Sequence, residues 1–173
     1  MQAKSRSIEY RRALAQFATG VTVVTTRAAD GTPLGLTVNS FNSVSLDPPL
    51  VLWSLALKAQ SLSAFERCSH YAINMLSEHQ LDVAQRFATR GADRFGPQDW
   101  QPGPFDVPLL DHCVATLVAT NRSRHREGDH VILVGEVVQF DAPGGVPLVF
   151  HDGRYFARAV EAPLPPALRT PWR

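Results

Sequence analysis

The stretch from Gly35 to Leu55, GLTVNSFNSVSLDPPLVLWSL, constrains the fold more than any other part of the chain. Asp47-Pro48-Pro49 divides it, because a double proline continues neither a helix nor the interior of a sheet. Both flanking segments have strand character. The first carries Thr37, Asn39, Ser40, Asn42, Ser43 and Ser45, whereas Leu50 to Leu55 is almost wholly apolar. Such a pair forms a cleft with hydrogen-bonding groups on one wall and hydrocarbon on the other, and the double proline is read as the bend joining the two walls. A flat, amphiphilic, phosphate-bearing ligand fits a cleft of that kind. Strand alternation puts Thr37, Asn39 and Phe41 on one face and Val38 and Ser40 on the other. Each face then carries a polar side chain, which is costly to bury without partners. An exposed edge strand using Ser and Thr as β-formers is the competing reading.

The rest of the chain is marked by similar short strand signals. Val21–Thr26 is β-branched throughout and predicts a strand, with Asp30-Gly31 as the hairpin turn after it. His70–Leu76, Val114–Ala119, Val131–Phe140 and Leu148–His151 read as further strands, with Pro143-Gly144-Gly145 turning into the last. Tyr10, Leu14 and Phe17 share a face and predict a helix over 8–17 that Gly20 ends. Ser63-Ala64-Phe65-Glu66 and Ser77-Glu78-His79-Gln80 match the capping box, and the second opens a helix through about Ala88. Residues 91–110, rich in Gly, Pro and Asp, predict a long surface loop. The expected organisation is a flexible N-terminus over 1–7, one domain over 8–160 and a Pro-rich arm over 161–173. Strands in close succession, without regular alternation with helices, predict a mostly β fold with a few short helices. An antiparallel barrel satisfies that pattern and a doubly wound parallel sheet does not.

Composition narrows the function. The chain has 173 residues, 45% of them hydrophobic and 19% charged, with a formal charge of +1, which describes one soluble globular domain. No basic stripe interleaves with aromatics, so nucleic acid is not an expected partner. Arg122-Ser123-Arg124-His125-Arg126 is followed at once by Glu127 and Asp129 and reads as a solvated loop. No apolar run approaches the roughly 20 residues of a membrane span, and the N-terminus lacks the apolar core of a secretory signal. Cys68 and Cys113 form no CxxC and read as small buried hydrophobes in a reducing compartment. The expected location is the cytoplasm.

Several residues could carry chemistry, each with a plainer alternative. Ser54–Ser61 ends just before a helix start, where free N–H groups, a hydroxyl and Lys58 suit a phosphate; an ordinary cap with a solvated lysine competes. Asn74 sits among apolar strand residues and needs partners at both ends of its amide, either to tie down a loop or to hold a ligand. His130, behind the Gly128-Asp129 turn, is a surface histidine or a donor for a phosphate or carboxamide at a pocket mouth. There is no HExxH or thiolate cluster for a metal, no GxSxG nucleophile, no GxGxxG and no P-loop. A site for a flat phosphorylated ligand, with no nucleophile and no metal, leaves the chemistry to the ligand.

In combination the segments FATGVTVVTT (17–26), GLTVNSFNSVSLDPPLVLWSL (35–55), KAQSLSAF (58–65), YAINMLSEHQLDVAQRFA (71–88), DRF (93–95), GDHVILVGEV (128–137) and PLVFHDGRYF (147–156) resemble the flavin reductase-like family, which has a split β-barrel, FMN-binding fold. The likeness is strongest to the small reductase components of two-component flavin-dependent monooxygenases. It implies an NAD(P)H:flavin oxidoreductase that uses FMN or FAD as hydride acceptor and NADH or NADPH as donor. It further implies a homodimer, with reduced flavin diffusing to a monooxygenase. By position, it assigns the flavin contacts to Thr37, Val38, Asn39 and Ser40, and to Trp53, Ser54 and Leu55 lying along the ring. Lys58 and Ser61 fall at the phosphate, and Asn74, Met75, Leu76, Gln80 and Phe87 finish the pocket. His130 matches the histidine associated with the nicotinamide and is the candidate catalytic residue, and Tyr155 and Phe156 close over both rings. Many relatives have alanine at the position of Val38, and the segment after Cys113 lacks the acidic and aromatic residues common before the GDH element.

Two other classes compete with the reductase. A non-catalytic flavin- or haem-binding sensor or carrier would use the same barrel. An interaction module would use edge strands and the proline tail. A pyridoxamine-phosphate oxidase relative fits the DPPLVLWSL and GDH elements less well.

Overall fold

The computed structural model describes residues 2–96 and 99–157, with side chains from residue 6 onward. In chain order the elements are α1 (Gln2–Ala15), β1 (Thr19–Gly20), β2 (Thr22–Arg27), β3 (Pro33–Val38), β4 (Asn42–Leu46), β5 (Pro49–Ala56), α2 (Leu62–Arg67) and β6 (His70–Met75). Then follow α3 (Leu81–Ala88), β7 (Trp100–Pro102), β8 (Pro108–Leu110), β9 (Ala115–Glu127), β10 (His130–Asp141), β11 (Val149–His151) and β12 (Arg154–Phe156). The chain is mostly β with few helices, as expected. Seven strands form one sheet in the order β3-β2-β6-β9-β10-β5-β4, and every ladder is antiparallel. β3 and β4 are its two edges, so the ladder does not close on itself. A smaller sheet, β1-β11-β12, lies beside it.

Both faces of the central strands are buried. Along β2, Val24 packs with Trp53, Tyr71 and Leu133 on one side, while Val23 packs with Leu76, Phe87 and Leu148 on the other. The first cluster takes in Val38 from edge strand β3 and Val51 from β5, so the sheet curls around it. Trp53 sits edge-on to Phe65 and Tyr71 at centroid distances of 5.0 and 5.8 Å. β10 is bulged between Val134 and Gly135, and a Cβ at Gly135 would run into the Tyr71 hydroxyl. Only glycine permits that approach.

Several expectations are corrected. α1 runs over Gln2–Ala15 instead of 8–17, and the expected apolar face does not pack inward: Tyr10 and Leu14 on the helix are 64% and 56% exposed, and Phe17 just past its end is 76% exposed. The supposed single polar strand before the prolines is two, β3 and β4, broken at Asn39–Phe41. Asp47 and the prolines turn the β4–β5 hairpin at an exposed edge. α2 starts one residue before the expected capping box, with Ser61 at its N-cap making no side-chain capping bond. Residues 91–110 are not one loop, because β7 and β8 pair within them. The Arg122–Arg126 cluster continues β9, where backbone pairing with β10 outweighs its polar side chains. The two cysteines are free, Cys113 buried and Cys68 half-buried. The expected arm, residues 161–173, lies outside the described residues.

Candidate functional site

Two adjoining hollows lie where β3, the end of α3 and the β5–α2 connection meet. The smaller, about 160 Å³, is walled by Val21, Thr37, Val38 and Asn39, with Phe150 and Tyr155 of the small sheet facing them. The larger, about 560 Å³, shares Thr37 and Ala88 with it and adds Lys58, Gln60, Ser61, Arg90 and Arg94. One end of this trough is thus apolar and aromatic, and the other carries three cations. Lys58 and Arg90 are exposed and form no ion pair among the described residues. Arg94 is held differently, its guanidinium donating to the Gly35 carbonyl at 2.7 Å and the Thr89 carbonyl at 3.0 Å.

His130 lines neither hollow but is tied to the larger one through its backbone. It opens β10 directly across from Ala56, which lines the larger hollow. The Leu57 N–H donates to the Asp129 carbonyl at 2.9 Å, pinning the turn before His130 to the segment carrying Lys58. The His130 Nδ1 lies 2.6 Å from Asp129 Oδ1. That hydrogen bond, with the charges of His130 and Lys58, holds the Asp129 carboxyl below its ordinary pKa of 3.8. The carboxylate therefore accepts from Nδ1 and leaves Nε2 for another partner.

Other predicted residues are engaged by the fold itself. The Asn74 amide donates to the Val23 carbonyl at 2.9 Å and Thr25 Oγ1 at 3.1 Å, and accepts from the Leu110 N–H at 2.9 Å. Both ends of its amide are thus engaged by neighbouring segments of the chain. Gln80 accepts from the Ser77 N–H at 3.0 Å and donates to the Asp111 carbonyl at 2.8 Å. Thr37 lines both hollows, yet its hydroxyl donates to the Ala84 carbonyl at 2.7 Å, fixing β3 on α3. Ser40 Oγ accepts from the Ser54 N–H and donates to its carbonyl, at 3.0 and 3.2 Å.

Trp53, Leu55, Leu76 and Phe87 are each 2% exposed or less, so Trp53, Leu55 and Leu76 are core side chains, and Phe87 alone of the four lines the larger hollow. Met75 is half-buried, paired between Thr22 and Ala115. Phe156 lies on β12 outside both hollows, 44% exposed beside His151.

Arg90, Arg94 and Phe150 line the hollows without being singled out from the sequence. Arg94 and Phe150 lie in the DRF and PLVFHDGRYF segments, and Gln60 in the Lys58–Ser61 stretch, but Arg90 has no local signal. Among the described residues no three His, Cys, Asp or Glu side chains converge as metal ligands, and no helix is long and apolar enough to cross a membrane. Another hollow, about 570 Å³ and lined by Asp111, His112 and Phe140 among others, contains none of the predicted residues.

The family model described as "Flavin reductase like domain" matches residues 14–158. The reductase component of a flavin-dependent trigonelline monooxygenase from Acinetobacter baylyi is 44% identical over 159 residues, covering 92% of this chain but 51% of that protein. The chain therefore spans about half the length of that relative. The NADH-dependent FMN reductase SmoA of Agrobacterium fabrum is 44% identical over 149 residues, covering 86% of this chain and 84% of that one. Among solved structures, the NADH:FAD oxidoreductase SgcE6 of Streptomyces globisporus, in complex with NAD and FAD fragments, superposes with a TM-score of 0.84 at 34% identity, covering 91% and 95% of the two chains. By match length and by identity alike, the chain belongs to the flavin reductase-like family.

Proposed function

We propose that this protein is an NAD(P)H:flavin oxidoreductase that takes hydride from NADH or NADPH onto FMN or FAD and supplies reduced flavin to a monooxygenase. The observation that carries the reading is the trough itself, apolar and aromatic at one end and cationic at the other, with His130 paired to Ala56 of its wall. The residues present fit a flavin. Val21, Val38, Phe150 and Tyr155 suit a flat ring, Asn39 offers an exposed amide, and Lys58, Ser61, Arg90 and Arg94 suit phosphate. When bound, flavin supplies the N5 hydride acceptor for a nicotinamide C4 donor.

The chain contributes position and exclusion of water. Val38 and Phe150 exclude water from the ring end, and the cations anchor the phosphate so that the ring is held in register. His130, oriented through Nδ1 by Asp129, presents Nε2 as a polar group for the nicotinamide carboxamide or phosphate. Ser40, Ser54 and Thr37 serve the site by fixing backbone, with Thr37 also forming part of the wall. Asn74, Met75, Leu76, Gln80, Trp53 and Leu55 support the pocket from behind. Phe87 forms part of its floor, and Phe156, exposed on β12 outside both hollows, is read as closing over the rings once they are bound.

The curled, unclosed sheet is read as the split barrel of the family. Exposed apolar side chains on α1, together with Val44 and Leu46 on edge strand β4, support a homodimer that covers them. The cytoplasm is the proposed location.

The test is oxidation of NADH and NADPH with added FMN or FAD, followed by stopped-flow reduction of His130→Ala. Hydride transfer is expected to slow by about 100-fold, within the range of a lost positioning or acid–base group, with flavin affinity nearly unchanged. Unchanged reduction kinetics reject the role of His130. Flavin binding without any nicotinamide oxidation returns the carrier reading.

A further inference from the structure

We infer that the trough continues past its cations into an adenosine-binding hollow along β3, so that this chain takes the dinucleotide FAD in preference to FMN. The inference rests on the flavin reading above and deepens it. A third hollow, about 380 Å³, opens from the larger one and shares Gln60 and Arg94 with it. Three hollows thus adjoin in sequence: the apolar one, the cationic one, and this one. A flavin mononucleotide ends at its phosphate, within the second. Only a ligand with more chain beyond the phosphate reaches the third.

The chemistry of the third hollow suits a purine nucleoside. Pro33 and Leu34 of edge strand β3 give it an apolar wall, and Phe95 adds an aromatic one. The Arg94 guanidinium is a fixed plate, because the Gly35 and Thr89 carbonyls hold two of its nitrogens. A fixed guanidinium plane stacks on an aromatic ring and still attracts phosphate at its edge. Asp93 lines this hollow and not the cationic one, and a carboxylate there can accept from an exocyclic amino group. The charge pattern agrees. Lys58, Arg90 and Arg94 bring three cations to the second hollow, where the dinucleotide carries its diphosphate.

The experiment titrates the purified chain with FMN and with FAD, without nicotinamide nucleotide, following flavin fluorescence. FAD is expected to bind about tenfold more tightly than FMN. Ala92→Trp, which fills the third hollow from a loop position, is expected to erase that advantage while leaving the FMN affinity within about twofold. In the unaltered chain, uncharged adenosine should weaken FAD binding and leave FMN binding unchanged, a readout that does not depend on the variant folding. Equal affinities, a preference for FMN, or adenosine competing with neither flavin overturns the inference and leaves the reductase reading standing. Failure to bind either flavin removes both.

Discussion

Two polar regions flank the trough, and they use their side chains in opposite ways. Behind it, between β6 and α3, Asn74 and Gln80 direct every amide group into the protein. In front, Lys58, Ser61, Arg90 and His130 make few bonds to the chain, and Ser61 stands at a helix start without capping it. The difference separates a group that holds the fold from one that is free for a ligand. A buried polar atom must find a partner at once, whereas an exposed cation stays available at little cost. Burial and hydrogen bonding therefore divide what the sequence motif presented as one list.

The largest expected effect comes from breaking the rear region. Asn74→Ala removes three hydrogen bonds and leaves the Leu110 N–H, the Val23 carbonyl and Thr25 Oγ1 buried without that partner. Loss of about 3 kcal/mol in urea unfolding is expected, the sum of a lost network and at least one unpaired buried group. Flavin affinity should fall only under conditions where the protein has begun to unfold. A variant of full stability that no longer binds flavin would reverse the assignment and make Asn74 a ligand contact.

Why the motif could not make this distinction is plain from the partners. Val23, Thr25 and Leu110 lie 51, 49 and 36 residues from Asn74, so the sequence shows its need for partners without identifying them. The strands were legible where the signal is local: β2, β6, β10 and β11 follow β-branched or apolar runs closely. β8 was hidden by its opening Pro108, and the end of β9 by Arg122–Arg126, whose strand state comes from pairing with β10. On β5, alternation alone places Val51, Trp53 and Leu55 on one face, and that face is the core. Arg90 follows α3 with nothing local to mark it, and only the fold carries it opposite Lys58.

The front region is sharpened by removing its cations. Lys58→Ala and Arg90→Ala are expected to leave unfolding within about 0.5 kcal/mol of the unaltered chain, as exposed side chains without ion-pair partners among the described residues do. Each should weaken flavin binding by about tenfold at low salt, less at high salt, because screening acts on exposed charges. Riboflavin, which lacks the phosphate, should be indifferent to both changes. Equal loss for riboflavin and FMN would show that these residues shape the ring end instead.

The smallest effect tests whether the front region is wholly free of internal bonds, since Asp129 and His130 do pair. Asp129 is 94% exposed on its side chain, so the pair is screened by water and adds little to the fold. Its consequence is the orientation of the imidazole. Asp129→Asn is expected to slow hydride transfer roughly two- to fivefold, the scale of an exposed pair, with stability unchanged. The pH dependence follows from the sign of the Asp129 shift. A carboxyl held below its ordinary 3.8 stays ionised as pH falls past that value, so the pair persists through the neutral and mildly acidic range. Its contribution disappears only as pH drops through the lowered pKa, where the proton occupies the oxygen that accepts from Nδ1. Turnover of Asp129→Asn should therefore run parallel to that of the unaltered chain from about pH 5 to 8, and the two should converge only in stronger acid. Convergence near neutrality would mean that His130 needs no carboxylate to orient it.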